Sequence, residues 1–216
     1  MIKLNLQLFG GRGAESGGGG GEYGAGMENS NTTVRVLDSN PLTDEISRGG
    51  GSFANEIMNT RDAFEAEYGS AVKDMNLSVA RFSNNSALGA YGGNTLYMNR
   101  SYVSNRNLTD AMKETDGFHP GIGDKTGAEA VAAHEIGHRL GEVAARRAGI
   151  SEREIVARAA KTVNINTANM AGHISRYARK NYGETIAEAS ADVFCNGNNA
   201  SEASKAIMTE IKSILK

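Results

Sequence analysis

The residues best placed to do chemistry are His134-Glu135-Ile136-Gly137-His138. Side chains four apart on a helix stand one above the other on the same face. The imidazoles of His134 and His138 can therefore grip a single ion, and Glu135 can reach a water bound to it. This pattern, H-E-x-x-H, is that of zinc-dependent peptide hydrolysis, in which the metal lowers the pKa of its water to about 7 and the glutamate takes the proton. Two histidines leave such a site incomplete, because catalytic zinc usually has three protein ligands. One way to complete it places a third histidine three residues beyond a glycine on the next stretch of chain. Gly141 stands at that glycine position, but residue 144 is Ala144. The third ligand must come from farther along.

Glu184, Glu188 and Asp192 recur every four residues and form one acidic stripe on a helix. Like charges in a row destabilise one another mildly, and a nearby cation with its histidines would relieve them. Glu184 is assigned as the third metal ligand. Glu188, one turn on, is assigned to accept the far ring N–H of a ligand histidine and so fix its tautomer. Asp192 either extends that arrangement or caps a neighbouring element.

The segment Tyr177-Ala178-Arg179-Lys180-Asn181-Tyr182-Gly183-Glu184-Thr185-Ile186-Ala187-Glu188-Ala189 resembles the one that supplies the catalytic tyrosine and glutamate ligand in anthrax lethal factor-like metallopeptidases. Pro-Pro endopeptidases share the layout. The shared features are an E-x-x-A-E-A motif starting at Glu184, a tyrosine seven residues before it, and a gap of 46 residues from His138 to Glu184. The resemblance implies an α+β, zincin-like domain with a small mixed or antiparallel sheet, an active-site helix and C-terminal helices. It also implies Zn2+ as cofactor, Glu135 as the general base, and Tyr177 as a hydrogen-bond donor to the oxyanion of a peptide bond under attack. Ser190 departs from the pattern, since the relatives often carry an aromatic there, so pocket shape and substrate do not transfer.

The elements that position these residues are partly legible. Thr126 followed by Glu129 forms a capping box that should open the motif helix, with Gly149 as its stop. Ser151 with Glu154 opens another helix, to about residue 163, and 164–172 reads as a loop. Further helices are expected over 53–68, 183–194 and 201–215. Strand periodicity marks 33–37, 77–82, 87–91 and 95–99, the last three as a short meander. Thr95 to Asn99 is either the sheet edge that would pair with a substrate backbone or a buried core strand. His119 is taken as an ordinary loop histidine. His173 is taken as a surface residue, or else as an alternative ligand or substrate contact. Arg139, Arg146, Arg147, Arg153 and Arg158 read as solvated helix faces, and Cys195 as a small apolar residue.

Composition bounds the partners. Charged residues make up 22% and the formal net charge is −2, which offers no electrostatic footprint for nucleic acid or a membrane surface. No apolar run is long enough to span a bilayer. A lone cysteine suits a reducing compartment. Ile2, Leu4, Leu6 and Leu8 alternate with polar residues, so no secretory signal is expected. A glycine-rich stretch follows, and residues 1–32 are expected to be a flexible leader before a catalytic domain over 33–216. A strand in that leader could also add to the sheet edge of a partner. The first 13 residues resemble leaders of head-region proteins of tailed phages and prophages of Gram-positive bacteria. That resemblance implies a host-cell cytoplasmic or virion location, with phage capsid or portal proteins as partners or substrates. It also defines a rival to the zinc endopeptidase: an inert phage structural component that keeps the scaffold and docks through its leader.

Overall fold

The computed structural model describes residues 5–8, 35–83, 86–103, 105–113 and 116–216. The glycine-rich stretch of the expected leader and residues 33 and 34 of the expected first strand lie outside them. The fold is α+β. Five strands form one mixed sheet: β1 (Asn5–Leu8), β2 (Val36–Pro41), β3 (Asn76–Phe82), β4 (Ala87–Gly92) and β5 (Thr95–Asn99), in the order β1-β4-β5-β3-β2. The helices are α1 (Thr43–Ser47), α2 (Gly51–Tyr68), α3 (Ser70–Lys73), α4 (Asn105–Lys113), α5 (Gly127–Ala148), α6 (Glu152–Thr162), α7 (Tyr182–Asn196) and α8 (Glu202–Leu215). Among the described residues no helix is long and apolar enough to cross a membrane.

The sheet corrects two expectations and decides between the two readings of a third. Strands β3, β4 and β5 are not a meander, because β3 pairs with β5 in parallel and β4 lies on the far side of β5. Thr95 to Asn99 is an interior strand, bonded on both sides, and cannot offer an edge. The alternation at the start of the chain does form a strand, and its partner is the chain's own β4, in antiparallel pairing.

The position of β4 follows from its side chains. Every residue in it is buried, and Gly89 faces the motif helix. A Cβ at residue 89 would come within 2.8 Å of Val131 Cγ1 and 3.0 Å of Glu135 Oε1. Only a strand without a side chain there can lie this close to α5.

Helix α5 begins as its sequence dictates. The Thr126 hydroxyl accepts from the Glu129 N–H, and the Glu129 carboxylate accepts from the Thr126 N–H at 2.8 Å. Its middle is buried all round, as expected of a helix enclosed by other elements. Phe53, Ile57 and Phe64 of α2, Ile155 of α6, and Ile207 and Ile211 of α8 belong to the same aliphatic core as Val131, Ile136 and Leu140. Arg139 is not merely solvated: its guanidinium donates to the Ala71 carbonyl and the Tyr91 hydroxyl.

Helix α7 lies along α5 and approaches it closely at Gly137. A Cβ there would stand 2.6 Å from Ser190 Cβ and 2.8 Å from Ala187 Cα. Ser190 also donates to the Ala133 carbonyl at 2.9 Å. Gly137→Ala should therefore destabilise the fold by about 1–3 kcal/mol through overpacking, although alanine is the better helix former. Gly51→Ala, with nothing within 4 Å of the added carbon, should be neutral or better. Urea denaturation of both variants checks this, and equal midpoints would remove the close approach as a constraint.

Candidate metal centre

Four elements deliver the site. Helix α5 presents His134 and His138 one turn apart, with ring centroids 4.9 Å apart. Helix α7 begins at an Asn181 cap whose side chain accepts the Glu184 N–H at 2.9 Å. Glu184 thus sits in the first turn, where the helix dipole favours a carboxylate. Tyr177 opens a short 3₁₀ turn, Tyr177–Lys180, tied to α7 by the Thr185 hydroxyl donating to the Ala178 and Asn181 carbonyls. The fourth element is the segment 116–120, which no periodicity marks.

Glu184 Oε2 lies 3.2 Å from His134 Nε2 and 3.3 Å from His138 Nε2. One ligand atom from each of these three buried residues falls within 4.8 Å of the others. Two atoms held about 2.0–2.1 Å from a shared zinc ion at a tetrahedral angle would lie about 3.3 Å apart. Among the described residues Glu184 Oε2 accepts no hydrogen bond, although it is buried. Buried acceptors are rarely left so. The donor set, its spacing and this orphaned oxygen all fit a divalent cation.

Glu135 stands beside this cluster with both carboxylate oxygens buried and without a hydrogen bond among the described residues. Burial raises its pKa to about 7, with the His134 and His138 charges offsetting part of the rise. A carboxylate so placed is poised to take a proton near neutral pH.

Glu188 is the hinge of the surrounding network. Its Oε1 lies 2.8 Å from His134 Nδ1 and 2.9 Å from His119 Nδ1, and its Oε2 accepts from the Ser175 hydroxyl at 2.7 Å. Burial would raise its pKa, but contact with His119 and then His134 prevails and holds it down at about 2. Glu184 is likewise held below the carboxylate range, because its two histidines outweigh burial. Burial pushes His134 down, yet Glu184 and Glu188 outweigh it and lift its pKa to about 10.

The chain matches no family model, no curated protein and no solved structure. The assignment of the site therefore rests on its geometry.

The structure brings together His134, Glu135, His138, Tyr177, Glu184 and Glu188. Tyr177 is buried, with its hydroxyl 3.4 Å from Glu184 Oε1 and within 3.3 Å of Lys180 Nζ. Asp192 does not join them. Its carboxylate accepts from the Ser201 N–H at 3.0 Å, the Ser204 hydroxyl at 2.7 Å and Asn196 Nδ2 at 2.9 Å. Two turns of helix beyond Glu184, it has moved about 12 Å along the axis and meets the start of α8. Of its two expected roles it takes the capping one.

His119 is a correction. It is no ordinary loop histidine but is 2% exposed and packed against Tyr177, with ring centroids 5.0 Å apart. It arrives there because Gly117 and Phe118 accept backbone hydrogen bonds from Arg176 and Tyr177. Ser175 was equally unmarked in the sequence. Both belong to the site through tertiary pairing, which leaves no local signature. His173, by contrast, is exposed at the end of the 3₁₀ helix Thr167–His173. Cys195 is no nucleophile, because burial pushes its thiol up to about 12.

Two outcomes follow. With metal chelated, His134 stays protonated in the fold up to about 10 but only to its ordinary 6.5 when unfolded. The folded state then binds more protons in that window, so stability is full below 6.5 and falls as pH rises to 10. Urea titrations in a chelator should show that fall, and metal occupying His134 Nε2 should abolish it. A flat metal-free profile would take the proton off His134. Second, His119→Ala should weaken metal affinity about 10–100-fold by loosening Glu188, measured against a chromophoric chelator. His119→Gln, which keeps a donor, should recover part of the loss.

Proposed function

We propose that this chain is a zinc-dependent endopeptidase with a zincin-like catalytic domain. The observation that carries the reading is the convergence of His134, His138 and Glu184 beside the Glu135 carboxylate, which makes no hydrogen bond among the described residues. A structural metal site has no use for a buried general base at its flank. Zinc, when bound by these three residues, would supply an activated water and polarise the scissile carbonyl.

The chain's own residues do the rest. Glu135 takes a proton at its carboxylate and delivers it to the leaving amine, and a pKa of about 7 suits it to both directions. The Tyr177 hydroxyl, at the rim of the same cluster, donates to the oxyanion that develops on the substrate. Glu188, braced by His119 and Ser175, keeps the His134 ring oriented with Nε2 toward Glu184. The substrate class is polypeptide, and head proteins of tailed phages are the first candidates on the strength of the leader resemblance. On this reading the protein works in the host cytoplasm or the virion.

Glu135→Gln should lower hydrolysis of labelled casein by at least about 10²–10⁴-fold while leaving zinc content equal to wild type. Tyr177→Phe should lower kcat by about 10²–10³-fold with KM nearly unchanged. Zinc content is read by atomic absorption and turnover by fluorescence. Equal activity of wild type and Glu135→Gln would leave the inert structural component as the better account.

A further inference from the structure

The chemistry at Glu135 needs an extended polypeptide beside it, and the strand of the sheet that lies against Glu135 is β4. Strand β4 runs directly over Glu135, with the Gly89 backbone pressed against its carboxylate. One edge of β4 is bonded to β5. The other edge carries β1. Take β1 away and β4 becomes the edge of the sheet. A free edge of this kind recognises extended chains through main-chain hydrogen bonds, largely whatever their side chains.

The register makes the coincidence specific. Asn5 pairs with Tyr91, Leu6 with Ala90 and Leu8 with Ala87. The irregularity between Leu6 and Leu8 therefore falls opposite Leu88 and Gly89, the point of β4 nearest Glu135. The strand is only four residues long, so few ladder bonds hold it. A short strand of this kind is exchangeable.

We propose that β1 occupies the strand position of an incoming polypeptide, so that the chain holds its own substrate edge shut until that strand is displaced. The inference rests on the peptidase reading for what the edge is used for, but the occupancy itself is a matter of binding. A site closed for most of the time binds its ligand more weakly by the fraction that is open. A competing strand therefore raises the apparent KM and leaves kcat alone.

The test uses the full chain and a labelled synthetic peptide of residues 1–9. Leu6→Pro combined with Leu8→Pro removes two backbone N–H groups from β1 and disfavours its pairing without touching β4. This variant should bind the peptide at least about tenfold more tightly than wild type, by fluorescence anisotropy. It should also cleave labelled casein with a KM lower by a similar factor and kcat unchanged. A second variant, Leu6→Cys with Ala90→Cys, places two thiols on directly paired residues. Oxidised, it should lose peptide binding, and reduction should restore it. Equal peptide affinity in wild type and both variants overturns the proposal, whatever casein shows. If the peptide binds as expected and neither protein cleaves casein, the edge assignment stands and the peptidase reading falls.

Discussion

Six imidazole and carboxylate side chains, His119, His134, Glu135, His138, Glu184 and Glu188, are buried together where α5 meets α7. Burying a charge is tolerable only when a partner of opposite sign or a hydrogen bond compensates it. The structure meets that demand unevenly. Glu188 is fully engaged by His119, His134 and Ser175. Glu184 is engaged by both motif histidines. Of the three carboxylates, Glu135 alone is left without a hydrogen bond among the described residues. A carboxylate buried without a hydrogen bond and only partly offset by nearby imidazoles is costly for the fold, and a cost retained at one residue points to use.

The scaffold around that cluster consists of close approaches. Gly89 lets β4 touch Glu135 from one side, and Gly137 lets α7 touch α5 from the other. The motif helix is thus clamped between a strand and a helix, each admitted by the lack of a single Cβ. The aliphatic core then fixes the outer faces of the same helices through Ile155, Ile207 and Ile211. A metal site needs its ligands placed to within a few tenths of an ångström, and contacts of this kind do not drift.

Much of the candidate site was legible in the sequence, because it is written in local terms. A capping box states where α5 starts, and spacings of four put His134 over His138 and Glu184 over Glu188. What was not legible depends on pairing between distant segments. His119 lies among loop residues in sequence, and two backbone hydrogen bonds from Arg176 and Tyr177 bring it in. Alternation marks the strands near 77–99 but not their order, because it does not say which neighbour a strand takes. Asp192 shares the period and the burial of Glu184 and Glu188, but its neighbour is the start of another helix rather than an imidazole.

That last residue makes α7 a graduated rod. Its three acids, four residues apart, reach three different receivers: the two motif imidazoles, the His119–His134 pair, and the part-buried amide of Ser201. Each residue of an α-helix adds about 100° of rotation. Inserting or deleting one residue between 184 and 192 would therefore swing part of this set away from its receivers at a stroke. The segment can change in composition far more readily than in length.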